Sequence, residues 1–350
     1  MLLLAYSIED LIFTSRPSRA SRYVAVKVYI THANLNRELE IYKHLNSASS
    51  NHPGRKCVRM LLDSFEIAGP HGTHTCLVHR PLGKSLLELM KLLDGGVLNK
   101  DLLKPAMRQV LGALYYLHEE AGVIHTDLQP SNILLGIKDD SILSKYEENE
   151  LKHPVPRKVT PDRTIYVSRP LPVSFGIPVL CDLGEARLES EKNDDDIMPD
   201  IYRAPEVILG MHWDNQVDIW NAGMLTWDLF QAFHLFHARD PGGKLHDAYH
   251  LASIASVLGP PPSEFLKKSE NSLRYWDENG HWRGLVPIPE HRPLDMLDQR
   301  LTGDDKQGFV SFLKKMLCWA PEDRATAGDL LLDPWLIEGM FKSRPPSANN

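Results

Sequence analysis

Apolar and polar residues alternate from Tyr23 to Tyr29, with Val24, Val26 and Val28 on one face and Ala25, Lys27 and Tyr29 on the other. A period of two predicts a strand. Over 34–45 the period lengthens, and Leu35, Leu39, Tyr42 and Leu45 line one side of a predicted helix that starts at Asn34. Cys76-Leu77-Val78 predicts another strand and Pro81-Leu82-Gly83 a linker. Helical stripes follow: Met107, Val110, Leu111, Leu114 and Leu117, then, well after Val217, Phe309, Phe312, Leu313, Met316 and Leu317. The stretch 136–178 is rich in Lys, Glu, Asp and Pro with little periodicity, which predicts an exposed, partly disordered insertion. The pattern divides the chain into a small strand-bearing part (1–82), a larger helical part (83–338) that carries the insertion, and a tail (339–350).

Composition narrows the function classes. A chain of 350 residues, 43% hydrophobic and 24% charged, has ample material for a core. A net charge of -7 argues against a general nucleic-acid binder and suits basic partners. Cys57, Cys76, Cys181 and Cys318 show no metal-ligand spacing and read as reduced thiols of a protein of the cytoplasm, the nucleus or both. The apolar opening Met1–Tyr6 is too short for a signal peptide, and nothing approaches a membrane span.

The candidate chemistry lies in Val123–Leu135. Asp127 and Asn132 stand five residues apart in a polar loop, between apolar runs, inside His-x-Asp-Leu-x-Pro-x-Asn. Phosphoryl transfer uses this pairing: a carboxylate accepts the proton of an attacking hydroxyl, and an amide oxygen holds a metal ion.

Val24-Ala25-Val26-Lys27, His125-Thr126-Asp127, Asp182-Leu183-Gly184 and Ala204-Pro205-Glu206 occur in the order of the eukaryotic protein-kinase signatures. The chain resembles that family over about 22–338. Tyr202-Arg203 and the long segment from Gly259 to Leu301 resemble its CMGC group. Thr126 in place of arginine, and Leu183 in place of phenylalanine, resemble the SR-protein kinases, which phosphorylate serines in Arg-Ser repeats. The resemblance implies an α+β, bilobal fold, ATP and Mg²⁺, Arg/Ser-rich protein substrates, a monomer, and a role in mRNA splicing. Lys27 would contact the nucleotide phosphates and pair with Glu38, with Glu40 as the fallback. Asp127 would orient and deprotonate the substrate hydroxyl, Asn132 and Asp182 would hold Mg²⁺, and the Leu82 backbone would meet the adenine. His79 falls at the gatekeeper position, where a buried structural histidine is an equal reading. Glu206 would pair with Arg324, and Asp218 would brace the catalytic loop.

Two departures stand against this set. No glycine precedes Gly54, so the Gly-rich loop that should cover the phosphates is absent, and residues 1–22 are few for its two flanking strands. The N-terminal lobe is therefore expected to be partial. Gln129 stands where the family carries lysine, which removes a positive charge from the transferred phosphate. The alternative function is a catalytically impaired kinase fold serving as a binding scaffold. The segment between Gly184 and Ala204 holds one serine, Ser190, and no Thr or Tyr before Tyr202, so switching by its phosphorylation is not expected. Its run Asp194-Asp195-Asp196 reads as a solvated charge run, with attraction of an Arg-rich substrate as the second reading.

Overall fold

The structure, a computed structural model, describes residues 3–5, 10–14, 23–29, 35–48, 50–69, 72–161, 164–167 and 169–339. Asn34, the expected helix start, lies outside them. The N-terminal part is built on one antiparallel sheet of five strands, in the order β1-β2-β3-β5-β4. The strands are β1 (Leu3–Ala5), β2 (Asp10–Thr14), β3 (Tyr23–Val28), β4 (Leu61–Gly69) and β5 (Gly72–His79). The alternation read from Tyr23 is kept: Val26 packs with Cys76 and Val78, flanked by Val24 and Val28.

Two strands occupy the stretch expected to be too short for them. The hairpin β1–β2 pairs Leu3 with Phe13 and Ala5 with Leu11, and β2 then pairs with β3, setting Asp10 opposite Lys27. Three and five residues suffice because each strand borrows its order from the next. The connection at 6–9 carries no glycine.

Helix α1 (Leu35–Ser47) lies beside this sheet, burying Ile41, Tyr42 and Leu45. After β5 the chain passes through 80–84 into the helical part, which opens with α2 (Leu86–Met90), fixed by a Ser85–Glu88 capping box, and α3 (Lys100–Tyr115). Met107, Val110, Leu111, Leu114 and Leu117 are all buried, as their stripe predicts. Phe309, Phe312 and Leu313 face the same core from the helix Gly303–Lys314, with Met316 and Leu317 just past its end. Among the described residues no helix is long and apolar enough to cross a membrane, and no disulfide joins the four cysteines.

The insertion differs from expectation. It folds as helix α4 (Ser141–Lys152) and a hairpin of β8 (Arg157–Val159) with β9 (Thr164–Tyr166). A small core of its own joins Leu143, Tyr146 and Leu171 to Tyr23 at the start of β3. The Tyr23 hydroxyl donates to Glu147 at 2.8 Å, and Arg169 ties the return segment to Glu150 at 2.9 Å. The order comes from a contact 120 or more residues away in sequence, which local composition does not reveal.

Candidate active site

Two short ladders aim the chemistry-bearing loops at one place. Strands β6 (Val123–Ile124) and β7 (Ile133–Leu135) bracket the loop 125–132, and β10 (Pro178–Leu180) pairs with β7 so that Leu180 faces Ile133. The Cys181 N–H donates to the Asn132 carbonyl at 2.8 Å, which sets Asn132 beside Asp182. Strand β11 (Arg187–Leu188) pairs with β6 and closes the segment after Gly184 onto the loop.

Asp218, fully buried in helix α6 (Gln216–Phe230), which follows the short α5 (Pro205–Ile208), holds the loop's backbone. Its carboxylate accepts from the His125 N–H at 2.7 Å, the Thr126 N–H at 2.8 Å and the His118 ring at 2.9 Å. His118 was not singled out from sequence, since a hundred residues separate it from its partner. The His125 Nδ1 accepts from the Asp127 N–H, so its Nε2 donates to the Cys181 carbonyl at 3.0 Å. Thr126 has a φ of 66°, a left-handed conformation that a β-branched residue rarely adopts. Strain of this kind, on the order of 1–3 kcal/mol, persists only where the surroundings fix it. Here the Asp218 bond and a 2.7 Å bond from the Thr126 hydroxyl to the Glu185 carbonyl do so. Thr126, read from sequence only as a family mark, thus joins the loop to the segment that follows Asp182-Leu183-Gly184.

Lys27, Glu38 and Asp182 meet. The Lys27 ammonium lies 3.0 Å from Glu38 Oε2 and 3.1 Å from Asp182 Oδ1. Glu38 is 2% exposed, whereas the fallback Glu40 is exposed. Burial pulls the Lys27 pKa down, but the two carboxylates outweigh it and hold the ammonium protonated well above its usual range. Burial pushes Asp182 up; the Lys27 charge and the Gly184 N–H more than offset it and keep this carboxyl below the ordinary range. Both of those contacts use Oδ1, so Oδ2 stays available to a cation.

Asp127 is held differently. Asn132 Nδ2 donates to its Oδ2 at 2.7 Å and to its carbonyl at 2.9 Å, while Gln129 Nε2 reaches both carboxylate oxygens at 2.9 and 3.1 Å. Burial, with the nearby Asp182 charge, raises the Asp127 pKa despite these donors. A carboxylate offers about four acceptor positions, so Asp127 retains room for a hydroxyl proton beside Gln129 and Asn132. Leu82 lies in the crossing segment, and neither its N–H nor its C=O bonds to another described backbone group. His79 is 1% exposed, 3.2 Å from the Met60 carbonyl and packed on Tyr42 with ring centroids 5.0 Å apart, which is a structural setting.

The donor set fits a magnesium nucleotide. Asp182 and Asn132 offer hard oxygen ligands, too few for a cage by themselves, and Mg²⁺ is commonly held by one or two such ligands together with substrate phosphates. Among the described residues there is no cluster of three metal-ligating side chains.

The following segment is anchored by ion pairs. Asp195 bonds Arg187 at 2.6 Å, Asp196 bonds Arg203 at 3.0 Å, and Asp194 pairs with Lys192. The aspartate run is therefore neither simply solvated nor wholly open to a substrate. Glu206 and Arg324 form a bidentate pair at 2.6 and 2.7 Å, as their motifs imply.

A family model described as "Protein kinase domain" matches residues 13–147 and 174–336, skipping 148–173, which spans the end of α4 and the β8–β9 hairpin. The chain is 46% identical, over 95% of its length and 83% of the relative's, to a serine/threonine protein kinase of Aspergillus fumigatus. It is 33% identical to the serine/threonine-protein kinase SRPK of Physarum polycephalum, across 91% of this chain and 80% of that one. A crystal structure of a kinase domain superposes with a TM-score of 0.71 at 24% identity, covering 95% of this chain and 93% of the other, and shows the same fold.

Proposed function

The chain belongs to the protein kinase family as an ATP-dependent serine/threonine kinase, and we propose that it phosphorylates serines in Arg/Ser-rich proteins and so acts on mRNA splicing. The observation that carries the catalytic part is the convergence of Glu38 and Asp182 on the Lys27 ammonium, at 3.0 and 3.1 Å, on a framework that also holds Asp127 against Asn132. The substrate class is supported by the likeness to SRPK and by Thr126 and Leu183.

In this reading the Lys27 ammonium, oriented by Glu38, draws the nucleotide phosphates toward Asp182. Asp182 and Asn132 would hold Mg²⁺, which would neutralise charge on those phosphates. The Leu82 backbone meets the adenine edge. Asp127 accepts a hydrogen bond from the substrate serine and takes its proton as the oxygen attacks. Gln129, in place of a cation, donates to Asp127 and adds no positive charge near the transferred group. The protein works as a monomer of the cytoplasm, the nucleus or both.

A second reading, a scaffold with impaired transfer, is favoured by Gln129's two contacts on the carboxylate and by the glycine-free 6–9 connection. Thermal unfolding with and without Mg-ATP separates the two, because a ligand that binds only the folded state raises the melting temperature. A shift is expected, together with phosphorylation of an Arg-Ser peptide above a Lys-Ser control. No shift and no incorporation would select the scaffold, while equal use of the two peptides would remove the Arg/Ser assignment.

A further inference from the structure

Arg55, Lys56, Arg59 and Arg80 line one cavity of about 680 Å³, outside the cleft just described. Its one wall is the turn Pro53–Cys57 and the chain that leads into β4; the other is Arg80–Leu82 with Gly136 and Ile137. Of the residues assigned to the cleft, Leu82 alone lines it, and it has no Asp or Glu in its lining. In a chain of net charge -7, Arg55, Lys56 and Arg80 concentrate positive charge here with no acid in the lining, while Arg59 already acts on the Glu38 carboxyl. Lys56 and Arg80 are exposed, and Arg55 Nε is buried without a hydrogen-bond partner.

The floor of the cavity is apolar, with Val58, Met60 and Val179. The cavity also includes Leu62 of β4, the edge strand of the sheet, whose Leu62, Phe65 and Ile67 are 46%, 46% and 42% exposed. Cations around an apolar floor, next to an open sheet edge, call for a partner that brings both carboxylates and aliphatic groups. A hydrated polyphosphate would leave the floor unused, and a nucleic acid would need a basic track rather than one pocket. We propose that this cavity docks an acidic, leucine- or isoleucine-bearing segment of a partner protein, carboxylates on Arg55, Lys56 and Arg80 and an aliphatic side chain on the Val58–Val179 floor.

The test is fluorescence anisotropy of a labelled peptide alternating glutamate and leucine, titrated with the full chain, beside a lysine–leucine peptide. Saturable, salt-sensitive binding of the acidic peptide is expected, weakened at least about tenfold by the double variant Lys56→Glu, Arg80→Glu. Both side chains are exposed, so the variant should keep the parent's circular dichroism and its response to Mg-ATP. Equal binding by parent and variant, or no binding, would overturn the proposal. Binding of inositol hexakisphosphate in place of the peptide would reassign the cavity to small polyanions and overturn the protein-partner claim.

Discussion

Two ion-paired clusters in this chain share their chemistry and differ in what they leave over. Arg324 and Glu206 have side chains 0% and 1% exposed, and the guanidinium meets both carboxylate oxygens and donates further to the carbonyls of Cys318 and Gln216. It also lies 5.2 Å from the Trp220 ring centre. Every strong donor is matched within the protein, and the pair is dry. Lys27 also bonds two acids, but Asp182 is 35% exposed and keeps Oδ2 available. The first arrangement is closed and can serve only the fold. The second is held in a shape that still has capacity for phosphate and cation.

Substitution should separate the two most sharply. Arg324→Ala strands the Glu206 carboxylate in the core and should cost about 3–5 kcal/mol of stability, read by urea unfolding. Lys27→Met should cost clearly less, because burial pushes the Glu38 carboxyl toward its neutral form once the ammonium is gone, while abolishing the thermal shift by Mg-ATP. Equal destabilisation by the two changes would break the distinction between closed and open pairs.

The raised pKa of Asp127 predicts a pH dependence. A base must be deprotonated to accept the serine proton, so turnover should fall on acidification at a pH above that expected for an ordinary aspartate. A turnover profile with its acid limb at the ordinary aspartate position would say that burial does not tune this carboxyl. Next in size, Gln129→Lys should raise turnover by up to about tenfold by restoring positive charge near the transferred phosphate. An unchanged rate would mean the amide is adequate. The smallest change is expected from Tyr23→Phe, which removes the hydroxyl bonds to Glu147 and Ser144 and should cost about 0.5–1.5 kcal/mol. Hydrogen exchange in α4 should rise. No change there would show that the apolar contacts with Leu143 and Tyr146 alone order the insertion.

What could be read from the sequence follows the range of the forces involved. The loop around Asp127 was legible because its function needs fixed residue types at fixed spacing, and so was the Val24–Val28 alternation, because a half-buried strand imposes it. The β1–β2 hairpin was obscured by looking for glycine, when backbone pairing to β3 needs only short extended runs. Helix α4 was obscured by charge, although Leu143 and Tyr146 stand three apart, a helical spacing that their acidic neighbours hid. The bond of His118 to Asp218 and the Thr126 hydroxyl bond to Glu185 had no local signal, since each joins segments that meet only in the folded chain.

The central claim is that Asp127, held by Gln129 and Asn132, still works as the base of a kinase that acts on Arg-Ser repeats. Purified chain and its Asp127→Ala variant, each given Mg-ATP and an Arg-Ser repeat peptide, test it directly through phosphate incorporated into serine. Incorporation by the parent and a loss of about 10²–10⁴-fold in the variant, with the thermal shift by ATP retained, is the predicted result. Equal rates for the two proteins, or no incorporation by the parent, would contradict it.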